Sequence, residues 1–113
     1  MTFGDWLEAT RQELLDLAIA RKDPQAILND LLILFEQLSP HQRSEADRIV
    51  ATWLESSDEG KRFEAEFIVE ELKIRSAVPA LRRLAQSLAA SADPFASSEL
   101  AKVNRILQLV LRG

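Results

Sequence analysis

The chain has 113 residues, of which 47% are hydrophobic and 28% are charged, so it can bury the core of one domain and is not a disordered polypeptide. The absence of cysteine excludes disulfide bonds, thiolate nucleophiles and thiolate metal ligands. A formal net charge of −4 argues against a general nucleic-acid-binding protein.

The first half of the chain predicts three helices. The first covers about residues 4–20, and the second is predicted to begin with Asp23 as its N-cap and Pro24 as its first residue. Ser39 and Pro40 open the third helix, with Gln42 completing a capping box. The residues predicted to be buried are Phe3, Leu7, Leu14, Leu17, Ala18, Ile27, Leu31, Leu34, Phe35, Leu38, Ala46, Ile49, Val50, Trp53 and Leu54.

The second half of the chain predicts three more helices. A second capping-box pattern over residues 56–59 opens the fourth helix, and Pro79 places the start of the fifth near Ser76, because proline is tolerated only in the first turn. Residues 91–98 read as a loop before a last helix over 98–111. No period-two alternation indicates a strand, so the predicted fold class is all-α with five to six helices. The residues predicted to be buried are Phe63, Ala65, Phe67, Ile68, Val69, Leu72, Ile74, Ala77, Leu81, Leu84, Ala85, Leu88, Leu100, Val103, Ile106, Leu107, Val110 and Leu111.

A loose internal period predicts helix pairs at about residues 23–55 and 58–90 within a single domain of residues 1–113. The segment 62–84 has an Arg-x-x-Ala first helix, and Ala77, Pro79 and Leu81 follow in the second helix. This segment resembles the core of a HEAT repeat. The resemblance implies an α-α superhelix of antiparallel helix pairs, a scaffold that binds proteins through the groove lined by its second helices. It does not imply enzymatic activity. A compact helical bundle of another topology is the alternative fold.

The residues capable of chemistry form no recognisable catalytic pattern. His41 is the only histidine and is predicted to be exposed, and with no cysteine present zinc has no credible site. Glu66 and Glu70 are one helical turn apart but lack the Glu-x-x-His pairs of helical di-metal proteins, so they are interpreted as a solvated face. We therefore predict no catalytic residue, no cofactor and no metal. An enzyme that depends on metal-binding carboxylates is the alternative.

The charges are distributed unevenly along the chain. Residues 1–59 contain 5 basic and 12 acidic side chains, whereas residues 60–113 contain 9 basic and 6 acidic ones. This polarity predicts two differently charged binding surfaces. On the non-catalytic protein–protein interaction module that the HEAT resemblance implies, the acidic half suits the neutralisation of a basic partner, as bacterial immunity proteins do with toxins. Solvated helix faces that happen to differ in charge are the alternative. The predicted partner-binding residues, polar and opposite the buried stripes, are Arg48, Thr52, Glu55, Arg82, Arg83 and Gln86.

Other parts of the chain bear on partners and location. The last helix has apolar residues on nearly all sides, including Leu109, so a homodimer through this helix is an alternative function. The basic residues between Lys73 and Arg112 lack interleaved exposed aromatics, which argues against nucleic acid. Trp6 and Phe95 are either core or loop anchors or contacts for a partner. With no signal peptide and no apolar stretch long enough to cross a bilayer, a cytoplasmic protein is expected.

Overall fold

The computed structural model describes residues 1–113, which form six α-helices and no strand. The predicted all-α fold of five to six helices is confirmed. None of the helices combines the length with the apolar composition needed to cross a membrane. The helices are α1 (Phe3–Ala20), α2 (Ala26–Glu36), α3 (Pro40–Trp53), α4 (Glu59–Leu72), α5 (Val78–Ala89), which follows a 3₁₀ turn at Arg75–Ala77, and α6 (Ala96–Arg112).

The chain divides into two compact units, residues 1–49 and residues 50–113, with the boundary inside α3. In the first unit α1 packs against α2. Leu17, predicted to be buried, is instead 55% exposed, because it lies about 100° around the helix from the fully buried Ala18. The single-domain arrangement and the HEAT-like pairing of helices stay predictions. The buried apolar residues of this unit are Leu7, Ala18, Ile27, Leu31, Phe35 and Ala46.

In the second unit α6 packs against both α4 and α5. Pro79 lies in the first turn of α5, as predicted, where its missing N–H leaves no hydrogen bond unmade. The predicted core positions of Trp53 and Leu81 are confirmed, since both are buried. The fully buried apolar residues of this unit are Val50, Leu54, Ala65, Ile68, Val69, Ala77, Leu81, Val103, Ile106 and Val110.

One of the predicted helix caps is confirmed and two are not. The Ser39 hydroxyl accepts from the Gln42 amide at 3.2 Å while the Gln42 side chain accepts from the Ser39 amide at 3.1 Å, which confirms the capping box. The capping box predicted over residues 56–59 is not formed. Asp58 is the N-cap of α4, and its carboxylate accepts from the Lys61 amide at 3.2 Å, whereas the Ser56 hydroxyl accepts from the Asp58 amide. The predicted cap at Asp23 is wrong. The Asp23 amide donates to the Ala18 carbonyl and ends α1, and α2 begins three residues later.

Candidate functional site

A cleft of about 840 Å³ opens in the second unit. Its walls come from the segment after α3, from the start of α4, from α5 and from the loop and first turns that lead into α6. The lining combines an apolar surface with several charged groups, as is common in ligand-binding clefts. The apolar lining is Leu54, Phe63, Leu84, Leu88, Phe95 and Ala96, and the charged lining is Glu55, Glu59, Arg62, Arg83, Asp93, Glu99 and Lys102.

Two phenylalanine rings of the cleft remain open to solvent. Phe95 is 78% exposed, so this residue does not lie in the core. Its loop is fixed by local hydrogen bonds, in which the Asp93 carboxylate accepts from the Phe95 amide at 2.9 Å. Phe63, predicted to be core, is 37% exposed, because its face of α4 borders the cleft instead of another helix.

One wall of the cleft contains a largely buried ion pair between α4 and α6. Arg62 donates from Nε to Glu99 Oε2 at 2.6 Å and from Nη2 to Glu99 Oε1 at 2.8 Å. The exposed fractions of the two side chains are 17% and 8%. A third guanidinium nitrogen, Nη1, donates to the Ser56 carbonyl at 3.2 Å. This bidentate geometry fixes the start of α4 against the first turn of α6.

Behind this ion pair lies Glu66, whose side chain is completely buried. Lys102 Nζ lies 3.1 Å from Glu66 Oε1, yet neither carboxylate oxygen accepts a well-formed hydrogen bond. Burial, reinforced by the adjacent Glu99 carboxyl and opposed by Lys102, raises the pKa of Glu66 to about 8. Glu66 is therefore predominantly protonated at neutral pH.

Glu99 titrates in the opposite direction. Burial by itself raises its pKa, but the hydrogen bonds and charge of Arg62, together with the neighbouring Glu66 carboxyl, outweigh burial, and the net pKa is lowered. The two carboxyls thus form a pair in which Glu99 carries the charge and Glu66 carries the proton.

Lys102 connects this buried pair to the cleft. Its ammonium nitrogen lies 5.0 Å from the centroid of the Phe63 ring, and its side chain lines the cleft and is 37% exposed. Arg62 Cζ approaches the same ring at 5.6 Å. Two cations therefore lie at cation–π distance from the Phe63 ring.

The interpretation of Glu66 as part of a solvated face is wrong. Only Glu70, one turn further along α4, reaches the surface, where it binds Arg105 at 2.8 Å. Two sequence signals could have located the buried pair. Glu66 lies three residues from both Phe63 and Val69, and Glu99 lies on the same stripe of α6 as Val103, so each interrupts an otherwise apolar face.

The structure brings together two of the six residues predicted to bind a partner. Glu55 and Arg83 both line the cleft, and they form a salt bridge with each other. The other four side chains are exposed and do not line the cleft, and they are Arg48, Thr52, Arg82 and Gln86.

Residues capable of metal binding are scattered. No group of three or more histidine, cysteine, aspartate or glutamate side chains is placed to hold a metal ion. His41 is exposed, as predicted, with its Nε2 3.4 Å from Glu45 Oε1.

Comparison with protein-family models, with curated proteins and with solved structures finds nothing similar to this chain. The cleft is therefore the feature from which a function can be inferred.

Proposed function

We propose that this protein is a non-catalytic protein–protein interaction module whose cleft binds a segment of a basic partner. The observation that carries the proposal is the exposure of Phe95 and Phe63 at one open cleft. An exposed phenylalanine ring offers a large apolar area, and aromatic anchors at interfaces contribute much of the binding free energy. A partner that inserts an apolar side chain between these rings would remove both from water.

The charges of the cleft favour a basic segment over an acidic one. Two of its acidic groups, Glu55 and Glu99, are neutralised by the salt bridges with Arg83 and Arg62. Glu59 and Asp93 line the cleft as well, are exposed, and take part in neither of these salt bridges, so these two carboxylates outnumber the one remaining cation of the lining, Lys102. A partner segment with lysine or arginine beside its apolar anchor would pair with these two carboxylates, which adds specificity and speeds association.

The charge of the chain favours one kind of binding, the neutralisation of a basic protein, in the way that a bacterial immunity protein neutralises a toxin. Residues 1–49 contain 5 basic and 9 acidic side chains, so the first unit is acidic. A negative field of this kind attracts a basic partner before the cleft is engaged.

Replacing Phe95 with alanine is expected to weaken binding about tenfold or more, since the aromatic anchor is lost. The probe is an acetylated and amidated eight-residue peptide of alternating leucine and arginine, measured by isothermal titration calorimetry. Phe95 is 78% exposed, so the substitution should leave the fold intact, which circular dichroism checks.

Leu111→Ala is the matched control, because Leu111, wrongly predicted to be buried, is also exposed, at 51%, but lies outside the cleft. It should bind the peptide like the wild type. A second control peptide carries glutamate in place of arginine and should bind more weakly. Equal affinity of the Phe95→Ala variant and the wild type, or equal binding of the two peptides, would contradict the proposal.

Self-association through α6 is a second candidate function, which the exposure of Leu111 near the end of this helix favours. Sedimentation velocity over a range of concentrations should then show a dimer that Leu111→Glu converts to a monomer, because the substitution places a charge in an apolar contact. A wild-type chain that stays monomeric at the highest concentration reached would exclude this candidate.

A further inference from the structure

We propose that the Glu66–Glu99 carboxyl pair makes binding in the cleft dependent on pH, with affinity for a basic segment rising as the pair loses its shared proton. This regulation rests on the proposed function, because it concerns the same cleft. Its basis is a cluster of four ionisable groups between α4 and α6, two of which are carboxyls and two of which are cations.

The geometry links the buried proton directly to the surface that a ligand would contact. Glu66 is fully buried and does not line the cleft, but its nearest cation does. Lys102 Nζ lies 3.1 Å from Glu66 Oε1 and 5.0 Å from the centroid of the exposed Phe63 ring. A change of charge on Glu66 therefore alters the counter-charge of a cation at the proposed binding surface.

The charge of the cluster follows from its protonation. With one proton on the carboxyl pair, the cations of Arg62 and Lys102 face a single negative charge on Glu99, and the wall is net positive by one charge. Without that proton Glu66 also becomes negative, and the cluster is neutral. A basic ligand is repelled by the protonated form, and removal of one unit charge at a distance of several ångströms is expected to change its affinity by about 3- to 10-fold.

The other charged groups around Glu66 do not supply this switch. On α6, Glu99 and Lys102 face Glu66. On α4, Arg62 interacts electrostatically with Glu66, but its guanidinium is hydrogen-bonded to Glu99. The next pair along the two helices, Glu70 with Arg105, is more exposed and lies one turn away. The only histidine of the chain, His41, belongs to the first unit.

The experiment measures the affinity of the leucine–arginine peptide at several values between about pH 6 and pH 9, where arginine keeps its charge. The wild type should bind about 3- to 10-fold more tightly at the upper end of this range. Glu66→Gln removes the titrating group and should abolish the dependence, whereas Glu70→Gln, at the exposed pair, should follow the wild type. Carbon-13 spectra of the wild-type glutamate carboxyls give the midpoint of the Glu66 titration without any substitution.

Three results decide the matter. A midpoint in the affinity that coincides with the Glu66 titration, and its loss in Glu66→Gln, support the inference. Affinity that stays flat across the Glu66 titration overturns the inference and leaves the proposed function standing. Absence of peptide binding at every pH overturns the proposed function and the regulation together. If Glu66→Gln does not fold, coincidence of the two wild-type midpoints decides alone.

Discussion

Replacing Glu66 with glutamine is expected to stabilise the second unit near pH 8 and to remove most of the pH dependence of its unfolding. The pKa of Glu66 is raised by burial from 4.5 to about 8 in the folded protein. Between these values the folded state binds a proton that the unfolded state has lost, so the free energy of unfolding falls as the pH rises. The stabilisation is complete below about pH 4.5, and at most about 5 kcal/mol is lost by pH 8.

The measurement is urea unfolding at acidic and at mildly alkaline pH, followed by the fluorescence of Trp53. This residue is 1% exposed and belongs to the second unit, and a Trp6→Phe background removes the only other tryptophan. Glu70→Gln, which alters the half-buried carboxylate one turn away, should keep the wild-type slope. A wild-type free energy that does not decrease between the two pH values would contradict the burial of a protonated Glu66.

Glu99 contributes a dependence of the opposite sign and in a different range. Its pKa is lowered in the folded state, so its stabilisation is present above its ordinary pKa and is lost as the pH falls through the folded value. This loss occurs in acid, below the range in which Glu66 titrates. The two contributions can therefore be separated in one pH series.

Replacing Arg62 with methionine is expected to lower the free energy of unfolding of the second unit by about 3–5 kcal/mol. The substitution removes both hydrogen bonds to Glu99, whose side chain is only 8% exposed, and leaves that carboxylate buried without its counter-charge. Arg105→Met is the matched control, because Arg105 makes the same kind of bidentate contact with Glu70 but is 56% exposed. An exposed pair of this type contributes about 0–1 kcal/mol.

The double variant Arg62→Met with Glu99→Leu separates the ion pair from the packing. It should recover much of the lost stability, since no buried charge is left without a partner. Urea unfolding of the four proteins of this cycle gives the coupling between the two residues. A loss in Arg62→Met no larger than the loss in Arg105→Met would show that the Arg62–Glu99 pair is not buried as the structure has it.

The six helices could be predicted from the sequence, because the signals for them are local. The spacing of apolar residues depends on the 3.6-residue turn, and the capping box at Ser39 joins residues only three apart. Core positions such as Phe35 and Trp53 could be predicted from the same periodicity. The charge and composition of the chain also sufficed to favour a binding protein over an enzyme, although that prediction awaits its test.

The positions of the buried polar groups, by contrast, depend on how the helices pack. The partners Arg62 and Glu99 are 37 residues apart, and no local pattern indicates that they meet. Whether Glu66 is solvated or buried depends on whether α6 covers its face of α4, and whether Phe63 is buried depends on the cleft beside it. The periodicity of one helix shows which residues share a face, but the neighbouring helix determines which part of that face is removed from water.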